Sequence, residues 1–222
     1  MTSALEGLSL HGDTSDLPAL TRFMSDPRPR VRAAAAGAVA ARADASSTTE
    51  LLLPLLADPS PRVAATGARM IARFGRPPRI RVAVQEGQPL QDELEPYWGS
   101  AQAWTRRAAW TAARSRRGWL ELVACLRLAL DEDAALSAEG VRAACGWATR
   151  TSVAGRPAPA VAATLEDNLR RAHDGGLLPR RTADLIAFTG GLTRYPHQPP
   201  EQPRSAPRTR SRWAHLLHWR RR

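Results

Sequence analysis

DPRPRVRAAAAGAVA, Asp26 to Ala40, returns further along the chain as DPSPRVAATGARMIA, Asp58 to Ala72. Five residues come back in register: Asp26 as Asp58, Pro27 as Pro59, Pro29 as Pro61, Arg30 as Arg62 and Val31 as Val63. The apolar positions upstream match as well, Leu20, Phe23 and Met24 against Leu52, Leu55 and Leu56. Self-similarity at a period of about 32 residues is the mark of stacked helical hairpins. Each such hairpin is too small to bury its own apolar stripe, so its stability comes from its neighbours.

The first copy explains how one unit works. Leu17, Leu20, Phe23 and Met24 fall at helical spacing and give a first helix one apolar face. Asp26-Pro27 ends that helix, because the residue before a proline is pushed out of the α region. Pro29 sits where a first helical turn tolerates a missing N–H. Val31, Ala34, Ala35, Ala38 and Val39 then form the stripe of a second helix, small enough for close approach.

Leu-x-x-Leu-Leu-x-Asp followed by Pro-x-x-Val-Arg and a run of alanines resembles the HEAT repeat. The resemblance implies an all-α fold, an α-solenoid of about five helical hairpins whose second helices line a concave face. In that family the turn Asp and the Arg after Val tie adjacent turns together, and Asp26 and Arg32 fit those roles. The second copy keeps Asp58 but has Ala64 in place of the arginine.

Of the 222 residues 32 are basic, and every one is arginine. With the heavy alanine content, this reads as the codon bias of a high-GC bacterium such as an actinobacterium. The net charge of +11 is concentrated at one end: residues 194–222 hold eight arginines against one acid. The first residues lack the basic start and apolar core of a signal peptide. No stretch is apolar enough to span a membrane, and the expected location is cytoplasmic. Cys125 and Cys145, each among apolar helical residues, read as reduced core positions.

Residues 1–193 are therefore expected to form the repeat domain. Ser3 to Leu10 reads as a half-repeat, and the polar run Asp44 to Thr49 as the loop into repeat two. An irregular insertion is expected at about 75–89, where Pro77, Pro78 and Pro89 exclude a long helix. Helices are expected over Leu90–Trp98, Ala101–Arg117, Trp119–Leu130, Ala138–Arg150 (capped by Ser137), Pro159–Asp174 and Pro179–Thr189. In the fourth of these, Val141-Arg142-Ala143-Ala144 echoes Val31-Arg32-Ala33-Ala34. Residues 194–222 read as a disordered Pro- and Arg-rich tail ending in a short amphipathic helix. There Trp213, Leu216, Leu217 and Trp219 form a candidate contact for a partner or an anionic membrane surface.

Catalytic constellations are sparse. The five histidines do not gather with cysteines or carboxylates at metal spacing, and no phosphate loop, nucleophile elbow or HExxH occurs. No cofactor or metal is expected. The run Asp131, Glu132, Asp133 reads as a solvated loop between paired helices. The sharpest candidate is a helical sector holding Arg106, Arg107, Trp110, Arg114 and Arg117, with no acid between Glu95 and Glu121. Arg106 and Arg114 lie one turn either side of Trp110, a spacing suited to cation–π stacking. Four guanidinium groups around an indole suit acidic side chains or phosphates.

One enzymatic branch of the family bears on this patch. HEAT-like DNA alkylation-repair glycosylases carry a Trp-x-Arg-Arg-Ala-like segment, which Trp104-Thr105-Arg106-Arg107-Ala108 resembles. They pair a tryptophan with a catalytic Asp one turn on. Here the positions four after Trp98, Trp104, Trp110 and Trp119 are Gln102, Ala108, Arg114 and Val123. The expected function is accordingly a non-enzymatic scaffold for a protein partner, acidic in character. A nucleic-acid binder related to those glycosylases is the alternative.

Overall fold

The computed structural model describes residue 7 and residues 13–76, 93–150 and 155–192. The half-repeat expected over Ser3 to Leu10 (Gly7 aside), most of the insertion and the tail with Trp213, Leu216, Leu217 and Trp219 lie outside these residues.

The described residues form ten α-helices and no strand. In chain order they are α1 (Leu17–Phe23), α2 (Pro29–Arg42), α3 (Ala45–Leu52), α4 (Pro61–Phe74) and α5 (Glu95–Trp98). There follow α6 (Ala103–Ala113), α7 (Trp119–Ala129), α8 (Ala134–Arg150), α9 (Pro159–Asp174) and α10 (Arg180–Gly190). Consecutive helices pair, α1 with α2 through to α9 with α10, and α4 packs between α2 and α6. In the second half α7 touches both α8 and α9. None of these helices is long and apolar enough to cross a membrane.

The first helices supply bulk to the core and the second helices supply closeness. Leu20, Leu52, Leu56, Leu122, Leu126, Leu165 and Leu169 are fully buried, facing Ala35, Ala36, Ala38 and Val39 of α2 and their counterparts. The seventh residue of a second helix is small in α2, α4 and α8. It is Ala35 in α2, Gly67 in α4 and Gly140 in α8. A Cβ on Gly67 would lie 3.1 Å from Cβ of Leu55, and one on Gly140 would overlap the backbone nitrogen of Ala129.

Three boundaries differ from expectation. The run Asp44 to Thr49 is the start of α3: Asp44 accepts hydrogen bonds from the N–H groups of Ser46 (2.8 Å) and Ser47 (2.9 Å). Short polar residues at a helix start serve as caps, so their polarity marks an N-terminus there. Thr48 and Thr49 are wholly buried, and Thr49 donates its hydroxyl to the Arg76 carbonyl at 2.9 Å. The second difference is at α8, which begins at Ala134 with Asp133 as its cap, accepting from Ala135 (2.9 Å) and Leu136 (3.1 Å). Ser137, expected to cap, instead donates its hydroxyl to Ala129 O at 2.7 Å. The echo of Val31 by Val141 is thus out of register: the third residue of α2 is Val31 and the third of α8 is Leu136. Third, α5 is a single turn and α6 is shorter at both ends than the expected Ala101–Arg117.

Candidate functional site

The turn before each of four second helices repeats one geometry. Three residues before α2, α4, α6 and α8 stand Asp26, Asp58, Ser100 and Asp131. Each takes the backbone N–H two residues on, from Arg28 (2.9 Å), Ser60 (2.8 Å), Gln102 (3.2 Å) and Asp133 (2.8 Å). The fourth residue of the second helix then decides whether neighbouring turns are tied.

Where that residue is arginine, a fork forms. Arg32 donates Nε and Nη2 to the two carboxylate oxygens of Asp58, both at 2.8 Å, and Nη1 to the Asp26 carbonyl at 2.8 Å. Arg106 does the same one copy apart: both oxygens of Asp131 at 2.8 Å, and the Ser100 carbonyl at 2.7 Å. The side chains of Arg106 and Asp131 are only 7% and 6% exposed. Burial alone would raise the Asp131 carboxyl, but the Arg106 fork and the Asp133 N–H outweigh it, leaving it below the usual range. Asp131 is therefore a buried structural carboxylate rather than part of a solvated loop.

Between these forks stands Ala64, and its would-be partner is Ser100, so both members of the pair are replaced together. The Asp58 carbonyl that an arginine at 64 would have taken instead accepts the indole N–H of Trp104 at 3.3 Å. Trp119 and Trp147 serve likewise, donating to Gly155 O (3.1 Å) and Gly118 O (3.0 Å), with ring centroids 5.0 Å apart. The segment Trp104 to Ala108 is thus bound up in joining turns.

The expected sector on α6 divides. Arg106 points into the fork, and Trp110 is 4% exposed within the core. Arg107, Arg114 and Arg117 remain exposed. Arg107 pairs with Glu139 of α8 at 2.9 Å, and the guanidinium of Arg114 lies 4.7 Å over the Trp110 ring. A helical wheel ranks directions on one helix, but only the neighbouring turn decides which direction is inside. Beside Trp110, burial pushes the Cys125 thiol up to about 11, which the indole and Arg114 offset only in part. Both cysteines are free.

Sequence reading missed Asp131, although a signal existed. Asp26, Asp58 and Asp131 each stand five residues before a buried apolar side chain, Val31, Val63 and Leu136.

The charge of the four second helices α2, α4, α6 and α8 is one-sided, whereas α10 sets Asp184 against Arg180. α2 and α4 carry three arginines each, α6 and α8 two each, against one acid, Glu139. Arg30, Arg62, Arg69, Arg73, Arg114 and Arg142 are exposed and have no carboxylate partner among the described residues. A cleft of about 590 Å³ is lined by residues of α6, α7 and α9, by Trp98 and by the turn at Asp131. Of its arginines, Arg106 is held in the fork, and Arg127 stacks on Trp98 at 4.8 Å and pairs with Glu95 at 2.7 Å. Among the described residues no three His, Cys, Asp or Glu side chains converge as metal ligands do. No protein-family model, curated protein or solved structure matches this chain.

Proposed function

We propose that this chain is a HEAT-like α-solenoid of about five hairpins, a scaffold that binds a protein partner through its second-helix face. It carries out no reaction of its own in this reading, and it works in the cytoplasm. The recurring turn geometry and the Arg–Asp forks support the repeat assignment. The observation that carries the function is the row of exposed arginines on α2, α4, α6 and α8 with no carboxylate beside them among the described residues. A surface that carries one sign of charge over several adjacent elements concentrates and steers partners of the opposite sign. Residues 194–222 add a second contact through Trp213, Leu216, Leu217 and Trp219.

The same arginines support a second reading, a nucleic-acid binder related to the alkylation-repair glycosylases. Against it stands the burial of Trp110, which removes the aromatic platform that unpaired bases would stack on. The test is capture of a partner from nuclease-treated extract by the native chain, by Arg107→Glu/Arg114→Glu, and by Arg22→Glu on α1. A protein retained by the native chain and by Arg22→Glu, and lost with the double variant, is the expected result. Retention by all three would remove the second-helix face from consideration. Duplex-DNA affinity falling steeply with salt would favour the nucleic-acid reading.

A further inference from the structure

We infer that the second-helix face is built for a protein segment acidic along one side and apolar along the other. The inference rests on the scaffold reading above and names the chemistry of its partner.

On α4 the arginines stand at 62, 69 and 73. At 100° per residue they fall within a strip about 40° wide, with Arg69 and Arg73 about 6 Å apart along the axis. Arg114 at the end of α6 and Arg142 on α8 extend the basic surface, and Arg142 holds the same ninth position as Arg69. The face already contains one example of what it binds. Glu139, the single acid of these helices, lies on the guanidinium of Arg107, with Nε–Oε2 and Nη2–Oε1 both at 2.9 Å. A partner's carboxylates would meet Arg62, Arg69, Arg73, Arg114 and Arg142 in the same way.

Two of these groups are set in place beforehand. Arg73 stacks over Phe74 at 4.9 Å and Arg114 over Trp110 at 4.7 Å. A planar guanidinium already stacked gives up less conformational freedom when it takes a carboxylate.

The basic strip is not uniform, and that selects among polyanions. On α2 the positions equivalent to Arg62, Arg69 and Arg73 are Arg30, Gly37 and Ala41: the first keeps its charge, while the other two join Ala33 and Ala34 in an uncharged floor with open space over Gly37. Duplex nucleic acid would lay phosphates across this uncharged floor as well as across the arginines. A segment with carboxylates on one side and apolar side chains on the other matches both parts.

The probe is a fluorescein-labelled helical peptide of about 20 residues, some 30 Å long, with Glu on one face and Leu on the other. It is titrated by anisotropy against the full chain, Arg69→Glu/Arg73→Glu, Arg69→Ala/Arg73→Ala and Arg22→Glu. Each variant is checked for unchanged thermal unfolding, and the alanine pair serves if charge reversal disturbs folding. The expected result is saturable binding that the charge reversal weakens about tenfold or more. Arg22→Glu should leave it unchanged, and replacing every Glu of the peptide by Gln should abolish it. Absence of binding, or equal binding to the charge-reversed chain, overturns the inference. So does a duplex of the same length, or a vesicle of phosphatidylserine and phosphatidylcholine, that displaces the peptide and is itself lost with Arg69→Glu/Arg73→Glu. A captured protein that depends on Arg107 and Arg114 but is not displaced by the peptide also overturns it, while leaving the scaffold reading intact.

Discussion

Arg106 and Asp131, 25 residues apart, meet through two hydrogen bonds of 2.8 Å with both side chains almost wholly out of water. The pair spans from the fourth residue of one second helix to the turn preceding the next. It repeats atom for atom the joint between Arg32 and Asp58. Two charges removed from water hold their place only while both are present, which makes the joint sensitive to single changes.

Arg106→Ala should therefore cost about 3–5 kcal/mol, because it leaves a buried carboxylate without its partner. Replacing both residues by apolar ones of similar size should cost much less. Urea unfolding of the two singles and the double checks this, and a single change costing under about 1 kcal/mol would refute it. Acid acts on the same chemistry. The Asp131 carboxyl is held low on balance by its partners, and that of Asp26 is brought down to about 2 by the Arg28 side chain and N–H. A carboxyl depressed by folding stabilises the fold above its unfolded value and loses that contribution as pH falls through the folded value. Thermal midpoints should fall progressively between about pH 4 and pH 2.

Trp104→Phe should cost about 1 kcal/mol beyond the loss of volume, since the Asp58 carbonyl then has no donor at the joint where Ala64 stands. Chemical denaturation of this variant beside Trp104→Leu separates the polar loss from the packing loss. Equal stability of Trp104→Phe and the native chain would show that water replaces the indole there.

Two glycines should respond in opposite directions to the same substitution. Gly140→Ala drives a methyl into the backbone of Ala129 and should destabilise by about 1–3 kcal/mol as α7 and α8 separate. Gly37→Ala enters open space on α2 and should stabilise by up to about 1 kcal/mol through helix propensity. Thermal scans of both variants decide the matter, and a shift of the same sign for both would contradict the packing described.

Cys125, with its thiol pushed up to about 11, should stay protonated and resist alkylation at pH 8 in the folded chain. Denaturant should release it. Because the folded value lies above the unfolded 9.0, its contribution to stability is present below that value and is lost as pH rises from 9 to 11. A thiol-counting assay showing rapid modification of Cys125 without denaturant would place it outside the core.

Much of this architecture follows from the chain read alone. Proline at 27, 29, 59 and 61 forbids continuous helix and places two turns wherever the chain goes. Apolar side chains at helical spacing, leucines in α1, α7 and α9 and valines and alanines in α2 and α4, then require a facing surface, which predicts these helices closely, Pro159 to Asp174 to the residue. Those are local demands, set by backbone sterics and by apolar period.

What the tertiary structure decided is which side of each helix is inside and which charges meet. Arg106 and Arg107 are neighbours of one residue type on one helix, yet Asp131 takes the first inward and leaves the second to Glu139 at the surface. The polar run after Asp44 became a helix because the Thr49 hydroxyl found the carbonyl of Arg76 and Asp44 found two free N–H groups. Trp110 sank into the core while Trp104 became a joint. In each case the deciding energy comes from a partner far along the chain, and desolvation rewards a polar group only once that partner is in place.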